Sequence, residues 1–419
     1  MPEFLELVPP SEALSLLVRN LDPLAESEEI ETAAALGRVT AAPQVAPHPL
    51  PSFARSTVDG YAVHASDTYG AGESLPAYLR VQGEVPMGAV PDFALDPGCC
   101  ALIHTGGMLP GGADAVVMVE YTQAVGGPPD QSWEVEISRA AAPWENVLKV
   151  GEDVADGEVV IPAGTRLRPA EIGGLMALGI TRLRVARQPK VGVLSSGDEV
   201  VPPESTLKPG QVRDVNAYAL SALIEQAGGA PVRYGILPDQ AEALARVARR
   251  ALAECDAVVI TAGSSASARD LTAQVIDSLG RPGVLVHGVN VRPGKPTILA
   301  ACAQGGRRKA VIGLPGNPVS ALVIAGLFVT PVVAHLLGLR RQAPSATIPA
   351  RLSLNLPSQA GREDWVAVRL LAEAGGYRAE PVFGKSNLIF TLARADGLVR
   401  IPPDATGLEA GQLVGVILL

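Results

Sequence analysis

Residues 189–200 read Pro-Lys-Val-Gly-Val-Leu-Ser-Ser-Gly-Asp-Glu-Val, and the fold turns on how this stretch is read. The run 191–194 is apolar, preceded by Pro189 and cut off by Ser195, Ser196 and Gly197. A short apolar run closed by small turn residues predicts a strand buried in a parallel sheet. Two carboxylates, Asp198 and Glu199, follow at once. Open α/β sheets bind ligands just beyond the carboxyl ends of their strands, and paired acids there can hold a hard cation through oxygen. Taken alone, the stretch reads more simply as a polar loop leaving a strand. The rest of the chain shifts that balance.

From 189 to about 338 strands and helices alternate. Further strands are predicted at 232–237, 257–260, 284–289 and 310–314, with helices near 217–227, 240–254, 271–279 and 318–338. Leu244, Val247, Ala248, Ala251 and Leu252 share one face of the second helix, the spacing of a helix packed on a sheet. Repeated βα units predict a doubly wound, mostly parallel sheet. The run 321–339 is apolar and long enough to span a membrane. Thr330, Pro331 and His335 interrupt it, and it follows a strand and a loop, so a buried helix is the expectation.

The flanks differ. Ser11 is placed to cap a first helix with Leu14, Leu17, Val18 and Leu21 on one face, and acidic 26–31 is read as leading into a short helix ending at Gly37. Pro43, Pro47, Pro49 and Pro51 keep the next run extended. Short strands at 78–81, 101–103, 115–119 and 135–137 predict a β-rich domain, with 126–129 at a loop tip. A helix is expected at 171–178, stopped by Gly179. Beyond Arg340 and Arg341, Ala350, Leu352, Leu354 and Leu356 alternate with polar residues, and 365–370 and 413–418 look like further strands. The expected domains are 1–52 with 149–187 (N-terminal and connector), 53–148 (β-rich), 188–338 (α/β) and 339–419 (C-terminal β).

Composition narrows the function. A 47% hydrophobic share rules out wholesale disorder, and a net charge of -9 disfavours non-specific nucleic-acid binding. Cys99, Cys100, Cys255 and Cys302 form no paired framework and no Cys-x-x-Cys, and the histidines are scattered. A reducing, cytoplasmic setting without a zinc site or membrane anchor is therefore expected. The start, Met-Pro-Glu-Phe-Leu-Glu, lacks the layout of a signal peptide.

Candidate chemistry gathers at strand ends. The strand at 310–314 runs into Gly313-Leu-Pro-Gly-Asn-Pro-Val-Ser320 and a long helix. Asn317 suits the N-cap and Pro318 the first helical position, so the helix start can face an anion. Arg292 and Lys295, in the turn Arg-Pro-Gly-Lys-Pro, can face the same anion. Asp239 follows the strand at 232–237, and Asp270 follows the one at 257–260 across a loop of small residues, 263–269. With Asp198 and Glu199, these acids converge on one sheet edge and suit a magnesium-bound phosphate compound. Helix capping by Asp239 and Asp270 is the plainer alternative. In the β-rich part, Asp59 and the run from Thr105 read only as turns.

These residues together resemble the molybdopterin molybdenumtransferases, the MoeA and gephyrin E-domain family. The match rests on RSTVDGYAV (55–63), HTGGMLPGGADAVVMVE (104–120), VGEDV (150–154), PKVGVLSSGDEV (189–200), RPGKP (292–296) and GLPGNPVSA (313–321), in family order. The resemblance implies an elongated multi-domain subunit, a homodimer, and magnesium-dependent insertion of molybdate into adenylylated molybdopterin with release of AMP. It implies catalytic roles for Asp59, Thr105, Glu199, Asp239 and Asp270, of which Glu199, Asp239 and Asp270 hold Mg2+ or its waters. Substrate-binding roles extend to Ser196, Gly197, Asp198, Gly263 and Ser264. They extend also to Arg292, Lys295, Pro315, Gly316, Asn317, Pro318 and Ser320. The implied cleft lies between the sheet domain of one subunit and the β-rich domain of its partner. The loop Gly263-Ser-Ser-Ala-Ser-Ala268 departs from the family's Gly-Gly-x-Ser-x-Gly: two glycines are missing, and serine hydroxyls are expected to replace some of the contacts. Two rivals remain: a scaffold of the same fold with weak turnover, and a magnesium-dependent nucleotide hydrolase.

Overall fold

The computed structural model describes residues 7–126, 133–262, 266–340 and 346–419, with the backbone alone over 266–269. The chain divides into two compact units. One comprises Met1–Ala42, Ala163–Pro169 and Arg182–Leu419, the other Pro43–Pro162 and Ala170–Thr181.

Apolar strands and amphipathic helices organise the first unit around a six-stranded sheet. Its strands are β1 (Lys190–Ser196), β2 (Ala230–Leu237), β3 (Ala257–Ala262), β4 (Pro282–His287), β5 (Ile298–Gln304) and β6 (Arg307–Pro315). Their order is β2-β1-β3-β6-β5-β4. The first four run parallel, while β5 and β4 each run against their neighbour. Alternation along β1 sends Val191 and Val193 to one face and Leu194 to the other. The first face packs on α1 (Asn216–Ala227) and α4 (Pro318–Leu336), whose Leu220, Ile224 and Phe328 are fully buried. The second packs on α2 (Ala241–Glu254) and α3 (Ala266–Asp277) through Leu244, Ala248, Leu252 and Ile276. This is the doubly wound arrangement expected. Helix α4 is long and apolar enough to cross a membrane, but its residues form part of this core.

The same unit carries a C-terminal β-domain. Strands Glu363–Glu373, Gly376–Pro381, Thr347–Leu352, Leu413–Leu418 and Gly397–Ile401 pair in that order, and the last pairs back to the first, closing a small barrel. Val291–Arg292, from the α/β part, adds in parallel to its first strand. The second unit is built on another six-stranded sheet, ordered Ala115–Met118, Gly60–Val63, Cys99–Ile103, Ala77–Val85, Glu134–Ile137 and Thr122–Val125. At Gly60 a Cβ would stand 1.9 Å from the Val117 carbonyl oxygen, so only glycine lets those strands approach.

Several local expectations change. Acidic Ser27–Glu31 is itself a strand, which was not anticipated, paired antiparallel with Arg182–Ala186, and the short helix expected after it is the 3-10 turn Thr32–Ala34. Cross-strand charge pairing, such as Arg182 to Glu29 at 3.1 Å, outweighs local propensity. The first helix is Pro10–Arg19 with Pro9 at its N-cap, so Ser11 lies inside its first turn and is no cap. Strand β5 was not anticipated; it forms a hairpin with β6 through Gly305 and Gly306, both at positive φ. Helix α3 begins at Ala266, so residues 266–269, read as loop, are its opening turn. Residues 127–129 of the expected loop tip lie outside the described residues. The four cysteines are free and buried.

A buried acid ties the amino end of this sheet to the segment before it. Asp256, just ahead of β3, receives Arg187 Nη1 and Nη2, each at 3.0 Å, and the Lys190 N–H at 2.7 Å. Arg187 is partly exposed and keeps Glu26 at 3.4 Å, so losing the Asp256 charge weakens this cluster without emptying it. Asp256→Asn is expected to lower the unfolding free energy by about 2 kcal/mol, the size of a lost charge-assisted hydrogen bond, read from chemical denaturation. An unchanged midpoint would show that the cluster adds nothing net.

Candidate functional site

The carboxyl edge of the parallel strands collects the predicted acids. β1 ends at Ser196, and the chain turns at Gly197 with φ +148. A Cβ there would meet Val200 Cγ2 at 2.7 Å and Glu199 Oε2 at 2.9 Å, so the turn requires glycine. Asp198 and Glu199 are exposed just beyond it. From the adjacent end of β2, Asp239 joins them, its N–H donating to Asp198 Oδ1 at 3.3 Å. Burial holds the Asp239 carboxyl above the ordinary 3.8. The Ser196 hydroxyl opposes this by hydrogen bonding, and the charges of Asp198 and Glu199 add to it. Oδ1 of Asp239 is buried without a hydrogen-bond partner. Asp270 is exposed on α3. Gly263 and Ser264 lie outside the described residues.

The predicted cations and the loop from Pro315 to Ser320 meet elsewhere on the unit, in a cleft of about 910 Å³ between the α/β part and the C-terminal barrel. Arg292, Lys295, Pro315, Gly316, Asn317 and Ser320 line it, whereas the acids named above do not. Gly294, at φ +113, seats the Arg292–Lys295 turn on α4, since a Cβ there would fall 2.2 Å from Ile324 Cγ1. Asn317 is the N-cap by position, and Pro318 opens the helix. The Asn317 side chain does not cap; its Nδ2 donates to Ser386 Oγ at 3.0 Å, and the Val319 N–H donates to the Ser386 carbonyl at 3.0 Å. Part of the helix start expected to face an anion is therefore used within the protein. Asn216 Nδ2 donates to the Gly316 carbonyl at 2.8 Å and steadies the loop from behind.

The barrel supplies residues that reading the sequence missed: Arg362, Asp364, Lys385 and Ser386. With Arg292 and Lys295, the cleft wall carries four cationic side chains against the single acid Asp364, counted among the described residues. The polar clusters Gly361-Arg-Glu-Asp364 and Gly384-Lys-Ser-Asn387, set in a β-domain, were the available signal.

In the second unit the two other predicted residues do meet. Asp59 Oδ1 receives the Thr105 N–H at 2.7 Å and the Thr105 hydroxyl at 3.2 Å. These bonds, with a smaller contribution from His104, hold the Asp59 carboxyl below the ordinary 3.8, so it is ionised at neutral pH. His104 Nδ1 lies 3.7 Å from Asp59 Oδ1, and its Nε2 lies 3.5 Å from Glu84 Oε1.

A doubly wound sheet bearing acids at its strand ends, with an anion-compatible cleft against a β-barrel, defines a class of multi-domain α/β enzymes that handle charged ligands. Two solved structures of molybdopterin biosynthesis MoeA protein from Pyrococcus horikoshii share this architecture. One matches with a TM-score of 0.84 at 32% identity over 99% of this chain and 100% of that one. The other has a TM-score of 0.78 at 38% identity over 99% of both chains. Residues 8–179 match the MoeA N-terminal region (domain I and II), 192–335 the probable molybdopterin binding domain, and 349–419 the MoeA C-terminal region (domain IV). The molybdopterin molybdenumtransferase of a Nostoc species is 34% identical over 96% of this chain and 91% of its own length. That of Bacillus subtilis is 31% identical over 94% and 90%. The chain belongs to the molybdopterin molybdenumtransferase family, enzymes of molybdenum cofactor biosynthesis.

The orphaned Asp239 oxygen has a measurable consequence. An acid whose folded pKa is raised costs stability once pH exceeds its unfolded value, because the folded state holds its proton longer. Asp239→Asn is therefore expected to melt higher than wild type at pH 7. The difference should shrink as pH falls through 3.8 and vanish well below it, where the carboxyl is protonated in the folded and the unfolded chain alike. Equal melting temperatures at both pH values would show that Asp239 carries no such strain.

Proposed function

We propose that this enzyme inserts molybdate into adenylylated molybdopterin and releases AMP, with Mg2+ at the acidic edge. The observation that carries the reading is the separation of charge within one unit. Carboxylates gather at the ends of β1 and β2, while cations line the cleft beside α4. A substrate pairing a diphosphate with a tetrahedral dianion needs both.

Among the described residues, no three acidic, histidine or cysteine side chains form a ready metal cage. Magnesium keeps most of its waters and takes one or two carboxylates plus substrate phosphate oxygens. The orphaned Oδ1 of Asp239, with Asp198 and Glu199 beside it, is a donor set of the right hardness. Glu199 and Asp239 would hold the ion or its waters, with Asp270 reached through solvent. The ion, when bound, neutralises the diphosphate as AMP leaves. The chain's own part is positional. Ser196, Gly197 and Asp198 shape the turn against which the diphosphate lies. Lys295 and Arg292, with Arg362 and Lys385, hold the oxyanion in the cleft. Asp59, kept ionised by Thr105, would complete the site from the other subunit of the homodimer. The working form is a cytoplasmic homodimer that needs no nucleic acid or membrane.

Two experiments test this. Lys295→Ala is expected to weaken binding of the anionic substrate by roughly 1–3 kcal/mol, the range for one charge-assisted contact, in calorimetric titrations at low salt. Unchanged affinity would leave Lys295 as a solvated cation. The second uses the placement of Asp59 and Glu199 in separate units. Asp59→Asn and Glu199→Gln homodimers should each lose molybdate-dependent AMP release. A mixed dimer, purified through two tags, should regain about half of wild-type activity by two-fold symmetry. No regain in a verified mixed dimer would overturn a site shared between subunits. Wild-type turnover by either homodimer would remove that residue from the chemistry.

A further inference from the structure

An acid in the wall of an oxyanion cleft is out of place on charge alone, because through space it repels the ligand. Asp364 is such an acid, with a side chain only 5% exposed. Its oxygens are not idle. Oδ1 accepts Arg362 Nε at 2.7 Å and Oδ2 accepts Arg362 Nη2 at 3.1 Å, so the carboxylate takes the guanidinium as a fork. Oδ2 also lies 3.8 Å from Arg292 Nη1. The backbone sets this up. Val291 pairs with Glu363 and Arg292 with Asp364, in parallel register, so the two residues meet where the α/β part joins the barrel. Glu363 next to it takes different partners, Trp365 Nε1 at 2.8 Å and Arg400 Nη2 at 2.6 Å. Arg362 and Arg292 both line the cleft, and Arg292 is 66% exposed.

A free arginine loses much rotamer freedom when it grips an anion, and one already held loses less. We propose that Asp364 is a positioning residue that holds the Arg362 guanidinium group in the orientation in which it receives the tetrahedral oxyanion. This rests on the reading of the cleft as the oxyanion site. The sign of the effect separates it from plain electrostatics. Removing a negative charge from an anion site should tighten binding through space, whereas losing the positioning should loosen it.

Calorimetric titration of molybdate into the full-length protein tests this, with wild type, Asp364→Asn, Asp364→Glu, Arg362→Ala, Lys295→Ala and the double variant Arg362→Ala/Asp364→Asn. Asp364→Asn is expected to raise the Kd roughly tenfold, the size of one lost charge-assisted contact. Asp364→Glu, which keeps the charge, should recover most of that loss. The double variant should bind no more weakly than Arg362→Ala alone, since the carboxylate acts through that arginine. Binding by Asp364→Asn as tight as or tighter than wild type, with Arg362→Ala and Lys295→Ala both weakened, would overturn the positioning role and leave the cleft reading intact. Fully additive losses in the double variant would also overturn it, because they mean a general effect on the fold. Wild-type binding by both cation variants would instead sink the cleft reading. If Asp364→Asn does not fold, Arg362→Lys decides. A lysine keeps the charge but cannot take both carboxylate oxygens, so it should bind nearly as weakly as Arg362→Ala, and wild-type binding would overturn the proposal.

Discussion

The pairing of β1 between β2 and β3 is the constraint on which the first unit depends. A parallel strand in that position is covered by helices on both faces, so its side chains are apolar and its polar groups must wait for the strand to end. β1 obeys this: it is buried from Val191 to Ser196, and carboxylates appear at the first exposed positions after Gly197. β2, an edge strand only partly buried, sets Asp239 just past its end, and β6, buried over its last residues, leads into the loop that opens α4. The edge where ligand chemistry is possible is thus a by-product of burying the sheet.

That edge is not electrically uniform. At the ends of β1 and β2, Asp198, Glu199 and Asp239 repel one another, and an oxygen of Asp239 stays buried without a donor. A group left in that state costs free energy unless something positive answers it. Beyond the end of β6 the balance reverses, with cations from two parts of the unit facing one cleft. The barrel is no appendage. Val291–Arg292 adds a strand to it, Ser386 receives the start of α4, and Arg362 and Lys385 complete the wall.

Side chains that look unremarkable in the chain gain meaning by what they fix in place. Asn216 sits at the first turn of α1 and braces the carbonyl of Gly316, a hundred residues away. Thr105 donates two hydrogen bonds to Asp59 and sets its charge state. In each case one functional residue is oriented by another with no functional chemistry of its own.

The doubly wound sheet, its strands other than β5, its helices and its acids at strand ends were legible in the chain, because burial on two faces writes apolar runs that small residues and carboxylates end. Asp59 and Thr105 were legible only through resemblance, since an acid in a turn has no periodicity to betray it. Three features needed the tertiary structure. The strand Ser27–Glu31 forms because Arg182–Ala186 lies opposite it, a pairing that local propensity cannot register. Helix α3 starts at Ala266 among residues whose small size suits loop and helix alike. The division of the predicted site into an acidic edge and a cationic cleft, with Arg362, Asp364 and Lys385 in the latter, follows from strand register between distant segments. Spacing along a chain reports which face a side chain takes; which charges meet is decided by long-range pairing, and no local pattern encodes it.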